Sequence, residues 1–205
     1  MAASGVIIKP MGSELFDGHG RRLYLTRDER AAVLAAAELA ERRTRTFCLT
    51  LAYTGCRISE ALALTCGRVD LAGRALVFET LKKRRRGVYR VVPVPPAVLD
   101  ALDLVHGVRE AQRRRNGGHG VRLWPWARST AWLRLQGVMR VAGIKAGPHA
   151  TAKGFRHGFG VAAVQAGIPL NLVQRWLGHA QLSTTAIYAD ALGAEEQSIA
   201  ARMWL

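Results

Sequence analysis

The spacing of apolar residues along the chain predicts a mainly helical fold. Apolar positions recur every three to four residues over most of the length, which is the period of an α-helix. The first long helix is expected to begin after Thr26, because Thr26 and Glu29 have the spacing of a capping box. The same reading predicts further helices over about 44–54, from about 59, over 96–105, from a Ser129 or Thr130 cap to about 142, over 151–166, 170–177 and 183–192, and in an amphipathic last segment over 195–205.

Two segments break the helical period and predict a small sheet. Residues 75–79 and 90–94 read as short strands on either side of a cationic turn over 82–87. The polar, basic stretch over 109–120 is expected to be a loop or a frayed helix end. The predicted fold class is therefore mainly α with a small antiparallel β-sheet (α+β).

The composition indicates a folded domain that prefers polyanionic partners. Of 205 residues, 49% are hydrophobic, which is enough for a core and too many for a disordered basic tail. The chain has 30 Lys and Arg residues, mostly arginine, and 15 Asp and Glu residues, so its net charge is +15. That balance favours nucleic acid over acidic or small neutral partners. Residues 1–20, rich in glycine, are expected to form a flexible arm, and residues 21–205 a single domain.

Several classes of protein find no support in the sequence. The three cysteines, Cys48, Cys56 and Cys66, form no CxxC pair, so we expect small buried residues in a reducing compartment. The start of the chain does not follow the pattern of a signal peptide, and no run of about 18 apolar residues predicts a membrane span. The histidines show no metal-ligand spacing and no Walker loop occurs, so neither metal nor ATP is expected.

The first segment with candidate chemistry is TGCRISEAL, which contains Arg57 and Glu60. Arg57 follows a glycine turn and precedes a predicted helix. An arginine side chain beside the free backbone N–H groups of a helix N-terminus suits a phosphate. Glu60 lies one turn further on, where it either orients Arg57 or caps the helix.

Two further segments carry candidate residues. In KGFRHGFG, Lys153 and Arg156 are three residues apart and share a helix face, and two such cations repel unless an anion lies between them. His157, next to Arg156, reads as a hydrogen-bonding helix residue. In LGHAQLSTTAIY, His179 follows a glycine that ends a helix, and Tyr188 comes nine residues later.

Together, the three segments resemble the catalytic domain of the tyrosine recombinases, the phage integrase family. The family pattern is an arginine in TGxRxxE, then H/K-x-x-R, then LGH and a tyrosine nine residues further on, and the chain meets it in this order. The resemblance covers about residues 25–204. One departure is Lys153, where most members carry histidine; a lysine still donates a hydrogen bond to phosphate but is less suited to act as a base.

The resemblance implies a catalytic set and a mechanism without metal, cofactor or ATP. Arg57, Arg156, Lys153 and His179 would clamp a DNA phosphate while negative charge builds on its oxygens. Tyr188 would attack that phosphate and leave a 3′-phosphotyrosine and a free 5′-hydroxyl. Lys153 or His179 would accept the proton of the phenol.

The family also places a catalytic lysine in the hairpin between its second and third strands. The candidates are Lys82 and Lys83, and Lys82 is favoured because it follows the apparent strand. The resemblance implies that it gives a proton to the leaving 5′-oxygen. The other hairpin cations, Lys83, Arg84, Arg85 and Arg86, are expected to press against the DNA backbone.

The function that the resemblance implies is site-specific recombination or integration of DNA in the bacterial cytoplasm, at the nucleoid. The implied partners are double-stranded DNA, further copies of the chain in a tetramer on paired sites, and accessory DNA-bending proteins. Residues 195–205 would pass to a neighbouring protomer. Two alternatives stay open: a non-catalytic DNA-binding regulator on the same scaffold, and a DNA-relaxing enzyme like a type IB topoisomerase.

Most members of the family carry a separate N-terminal core-binding domain. The first family segment starts near residue 25, which leaves no room for that domain in this chain. The chain therefore resembles short forms such as the fimbrial phase-switch invertases. Whether it is a natural short protein or a truncated one stays open.

Overall fold

The computed structural model describes residues 15–80, 87–114 and 117–189, and in these ranges the chain is mostly helical with one small sheet. The fold class expected from the sequence is confirmed. The helices are α1 (Arg27–Glu38), α2 (Arg42–Thr54), α3 (Ile58–Leu62), α4 (Pro96–His106), α5 (Val108–Arg113), α6 (Arg128–Val141), α7 (Ala152–Gln165), α8 (Leu170–Leu177) and α9 (Ser183–Ala186). The strands are β1 (Val69–Asp70), β2 (Ala75–Glu79) and β3 (Tyr89–Pro93).

The sheet is antiparallel in the order β1-β2-β3. Strand β2 has the predicted bounds, and β3 begins at Tyr89, one residue earlier than predicted. Strand β1 was not predicted, because two residues are too few to show an alternation of apolar and polar positions. In the β2–β3 pair Phe78 lies opposite Arg90, which places an arginine in line with a buried aromatic ring.

Three helical segments differ from the sequence prediction. The stretch from Val108 is a short helix rather than a loop or frayed end, because Val108 and Ala111 are buried and anchor it. Helix α6 begins with Ala127 at its cap, ahead of the predicted serine or threonine. Helix α9 ends at Ala186 because the Tyr188 N–H donates to the Thr185 carbonyl, three residues back, and tightens the chain.

The core has two parts. The larger packs α1, α2, α4 and α6 around the sheet, with Phe47, Leu76 and Trp124 fully buried. The smaller joins α7 and α8 to Tyr188, and Leu15 is fully buried in it. The described end of the predicted arm is thus packed against the domain at Leu15. Residues 1–14 lie outside the described ranges, so the flexible arm stays a prediction for them.

The three cysteines are buried and form no disulfide, which confirms their predicted role as small core residues. Burial raises the pKa of the Cys48 and Cys56 thiols to about 12. In the described ranges, no helix is both long and apolar enough to cross a membrane.

Candidate active site

One cleft of about 600 Å³ collects the candidate residues that the structure describes. Its lining includes Arg57 before α3, Lys153 and Arg156 in α7, His179 after α8, and Tyr188 after α9. These residues come from three separate stretches of the sequence. The fold therefore brings together all of the candidate catalytic residues outside the hairpin.

A glycine turn places Arg57 at the edge of the cleft. Helix α2 ends at Gly55, whose φ of +59° lies in the left-handed region. A Cβ at this position would lie 2.5 Å from Cδ1 of Phe159, so there is no room for a side chain at this turn. After this turn Arg57 occupies the N-cap of α3, with its side chain 30% exposed.

Glu60 is a completely buried carboxylate that both caps α3 and orients Arg57. Its Oε2 accepts the Arg57 backbone N–H at 2.8 Å, and its Oε1 accepts Arg57 Nη1 at 2.8 Å. Both interpretations left open by the sequence are therefore correct. Burial alone would raise the pKa of this carboxyl, but the charges and hydrogen bonds of Arg90 and Arg57 hold the pKa below its usual value.

Arg156 is buried beside the same carboxylate. Its guanidinium donates to the Gly55 carbonyl at 2.8 Å and to the Leu177 carbonyl, and its Nη1 lies 3.9 Å from Glu60 Oε2. Burial, together with the nearby charge of Arg57, lowers the pKa of Arg156 to about 10, so the group remains protonated at neutral pH. The guanidinium groups of Arg57, Arg90 and Arg156, here called the arginine cluster, share one carboxylate and keep an excess of positive charge.

Tyr188 belongs to the smaller core and lines the same cleft as Arg57 and Arg156. Its side chain is held on two sides: the ring stacks on His179 with centroids 6.2 Å apart, and the hydroxyl lies 3.1 Å from Nδ1 of His157. His179 is positioned in turn by Thr185, whose Oγ1 lies 2.9 Å from its Nδ1. Lys153 is exposed and lines the cleft. A phenol therefore lies in the same cleft as positively charged side chains that can bind an anion.

The comparison with known proteins covers the part of the chain that forms this cleft. The family model described as "Phage integrase family" matches residues 23–195. The chain belongs to this family. Tyrosine recombinase XerD of Mycobacterium tuberculosis (strain ATCC 25618 / H37Rv) is 36% identical over 157 residues, which are 71% of this chain and 47% of XerD. The chain spans about half the length of the curated relatives it matches.

Solved structures agree with that assignment. A crystal structure of XerA recombinase has a TM-score of 0.67 and 26% identity, and the match covers 88% of this chain and 64% of that one. XerH site-specific recombinase bound to its difH substrate in a pre-cleavage complex has a TM-score of 0.68 and 21% identity, over 93% of this chain and 60% of that one. The family resemblance seen in the sequence is therefore confirmed, and the fold is that of these recombinases.

In this member of the phage integrase family, the sequence does not predict the place of three residues in or beside the site. The sequence predicts that His157 is a hydrogen-bonding helix residue, and the structure shows that its partner is the Tyr188 hydroxyl. Burial, with the charges of Lys153 and Arg156, lowers the pKa of His157 to about 4, so the ring is neutral at pH 7. Arg128 lines the cleft, and Arg90 binds Glu60. Neither arginine stands in a motif that would single it out.

The predicted hairpin residues lie outside the described part of the chain. These are Lys82, Lys83, Arg84, Arg85 and Arg86. Thr80, the last described residue before them, lines the cleft. The chain therefore reaches the edge of the site directly after β2. The predicted tail over 195–205 also lies outside the described residues.

Gly160 leaves the space that the Tyr188 ring fills. A Cβ on Gly160 would lie 2.5 Å from ring atoms of Tyr188, closer than carbon atoms approach. We expect Gly160→Ala to destabilise the protein by about 1–3 kcal/mol, because the ring must move out of a packed core. Thermal or urea unfolding measures this change.

Gly137 provides the matched control for that substitution. It also lies inside a helix, α6, but a Cβ there meets nothing within 4 Å. Gly137→Ala should be neutral or stabilise the fold by up to about 1 kcal/mol, since alanine favours helix. If Gly160→Ala were as stable as Gly137→Ala, Tyr188 would not occupy the described position.

Proposed function

We propose that this chain is the catalytic unit of a site-specific DNA recombinase that cuts and rejoins DNA through a covalent phosphotyrosine. The observation that carries the proposal is the joint placement of Tyr188, Arg57 and Arg156 in one cleft. Support comes from the relatives, which are named tyrosine recombinases, and from XerH, whose structure contains its difH substrate. The net charge of +15 fits a DNA partner.

Four side chains of the cleft are suited to hold the phosphate: Arg57, Arg156, Lys153 and His179. Attack on a phosphodiester increases negative charge on its nonbridging oxygens, and cations fixed in advance stabilise that charge without reorganising. Arg156 is fixed by two carbonyls and Arg57 by Glu60, so both cations are preorganised. The shared carboxylate neutralises only part of their charge, which leaves the cleft attractive to an anion.

In the proposed reaction, Tyr188 Oη forms a bond to phosphorus while the bond from phosphorus to the 5′-oxygen breaks. The products are a 3′-phosphotyrosine and a free 5′-hydroxyl, and attack by another strand's 5′-hydroxyl reverses the step without ATP. The phenol, whose ordinary pKa is about 10, must lose its proton to a neighbour. Lys153 and His179 are candidates for this role, and His157 already forms the hydrogen bond to the hydroxyl.

Lys82 is proposed as the acid that protonates the leaving 5′-oxygen, with Lys83 as the alternative. Thr80 supports the choice because it lines the cleft two residues before Lys82. The proposed partners are double-stranded DNA, further copies of the chain in a tetramer on paired sites, and accessory DNA-bending proteins. The proposed location is the bacterial cytoplasm, at the nucleoid.

A suicide substrate tests the proposed function. A duplex that carries the native site and a nick beside the scissile phosphate releases a short strand after attack, so the covalent adduct accumulates. We expect an adduct that survives denaturing electrophoresis. Tight binding without any adduct would identify a DNA-binding regulator instead. Relaxation of supercoiled plasmid at single sites, without strand exchange between paired sites, would identify a topoisomerase-like enzyme.

Binding should weaken steeply with salt if Arg57, Arg156 and the hairpin cations contact phosphates. The logarithm of the binding constant should fall by roughly 0.9 per phosphate contact for each log unit of salt. Arg84→Ala should reduce this slope by about one contact and lower affinity for all sequences alike, because phosphate contacts carry no sequence information. Fluorescence anisotropy over a salt series measures both. A nearly flat salt dependence of the wild type would contradict the interpretation.

A further inference from the structure

Arg90 is an arginine in a core position of the sheet. It lies in β3, where alternate residues are buried, and only 6% of it is exposed. Its guanidinium carbon lies 5.0 Å from the centroid of the Phe78 ring on the neighbouring strand. A buried charge is costly unless it is paired and hydrogen-bonded. The partners of Arg90 therefore indicate why the chain keeps it.

The three side-chain nitrogens of Arg90 connect two separate elements of the site. Nη2 donates to Glu60 Oε2 at 2.6 Å and Nη1 to Glu60 Oε1 at 3.3 Å. Nε donates to the carbonyl of Trp176 at 2.8 Å, in the last turn of α8. Glu60 in turn holds Arg57, and α8 leads directly into His179. Arg90 thus directly contacts the groups that support two candidate phosphate ligands, Arg57 and His179.

The loop that carries His179 passes directly over Arg90. Gly178 has a φ of +68°, and a Cβ there would lie 3.2 Å from both Cδ and Nη1 of Arg90. The positive φ favours glycine at this position, and a Cβ would also crowd the Arg90 side chain. The end of α8, which leads into His179, therefore packs against the Arg90 side chain.

Charge competition gives Arg90 a second effect on the site. Glu60 is buried within reach of Arg57 and Arg156 as well as Arg90. Arg90 satisfies one oxygen of the carboxylate at 2.6 Å and neutralises its charge from the side of the sheet. Without Arg90, Glu60 would draw Arg57 and Arg156 toward itself and away from a phosphate in the cleft.

We propose that Arg90 is a positioning residue for phosphate binding, which holds Glu60 and the end of α8 so that Arg57, Arg156 and His179 face the DNA. The inference rests on the proposed function. Arg90 acts through these neighbours and does not itself line the cleft.

Arg90→Met tests the proposal because methionine keeps an apolar stem of similar length and removes the charge. We expect the single-turnover rate of adduct formation to fall about 10- to 100-fold, as displacement of catalytic groups by about 1 Å produces. DNA affinity should change little, since most phosphate contacts lie elsewhere. Arg68→Met is the matched control, because Arg68 also pairs with a glutamate and lies over an aromatic ring, those of Glu79 and Tyr89. Its glutamate is Glu79 rather than Glu60, the partner of Arg57. The cleavage rate of Arg68→Met should equal that of wild type.

A methylphosphonate at the scissile position separates positioning from general destabilisation. This substrate lacks one charged nonbridging oxygen and should depend less on Arg57 and Arg156. We expect the defects of Arg90→Met and of Arg57→Ala both to shrink on it. Arg90→Met/Glu60→Gln should cleave faster than Arg90→Met alone, because the uncompensated carboxylate is gone. An equal defect on both substrates, or no rescue by Glu60→Gln, would overturn the proposal.

The outcomes for the proposed function and for Arg90 are distinguishable. Absence of adduct with wild type refutes the proposed function, whereas wild-type cleavage by a folded Arg90→Met protein refutes only the positioning role. If Arg90→Met does not fold, Arg90→Lys carries the same test. A lysine cannot reach both Glu60 oxygens and the Trp176 carbonyl at once, so a slower rate with the same relief on methylphosphonate is expected. A wild-type rate for Arg90→Lys would then overturn the proposal.

Discussion

Replacement of Tyr188 by phenylalanine is expected to eliminate covalent protein–DNA adducts on a suicide substrate. The change removes the hydroxyl, which is the nucleophile in the proposed reaction, and keeps the ring that packs on His179 and fills the space beside Gly160. DNA affinity should stay close to that of wild type. The lost hydrogen bond leaves His157 Nδ1 without Tyr188, so a stability loss of about 1–3 kcal/mol is expected. Denaturing gels and thermal unfolding measure the two effects.

Tyr89 is the matched control for that substitution. It lies in β3, is 53% exposed, and is absent from the cleft lining. Tyr89→Phe should form adducts at the wild-type rate. Adducts formed by Tyr188→Phe would show that the nucleophile is assigned wrongly, and Tyr89 would be the next tyrosine to test.

Arg156→Ala should lower the rate of adduct formation by at least about 10²–10³-fold, although Tyr188 is still present. The loss of one preorganised donor to a transition-state oxygen commonly has this effect. Arg156 also satisfies the buried carbonyls of Gly55 and Leu177, and each carbonyl left unpaired costs on the order of 1–3 kcal/mol. The variant should therefore combine slow cleavage with a lower midpoint of thermal unfolding.

Arg57→Ala separates these two consequences. Arg57 is 30% exposed, and Glu60 keeps Arg90 as a partner after its removal. We expect a comparable loss of cleavage with a smaller loss of stability. A folded Arg156→Ala protein that cleaves at the wild-type rate would contradict the phosphate clamp.

Local signals predict most of the element boundaries. The capping box of Thr26 and Glu29 starts α1 as expected, and both of its reciprocal hydrogen bonds are present. Gly55 and Gly178 end α2 and α8 in the left-handed conformation. Each of these signals acts between residues a few positions apart, so the sequence shows it directly. The missed elements, β1 and α5, are too short to establish a period, and the start of α6 and the end of α9 also differ from the prediction.

The candidate residues were found because their spacing follows a family pattern, which does not require knowledge of the fold. Arg57, Lys153, Arg156, His179 and Tyr188 all reach one cleft. The pattern names the residues of the reaction but not the groups that hold them. Only the structure shows which groups hold these residues, such as Glu60 for Arg57 and His157 for Tyr188.

Arg90 and His157 show what only the tertiary structure could decide. Arg90 stands at the start of a predicted strand and in no motif, but the fold buries it against a glutamate thirty residues earlier and a carbonyl at the end of α8. His157 meets Tyr188 only because α7 and the chain after α9 pack in the same smaller core. Capping and helical period are local and are written in neighbouring residues. The burial of a charge and the partner of a polar atom depend on contacts between distant segments, which form only when the chain folds.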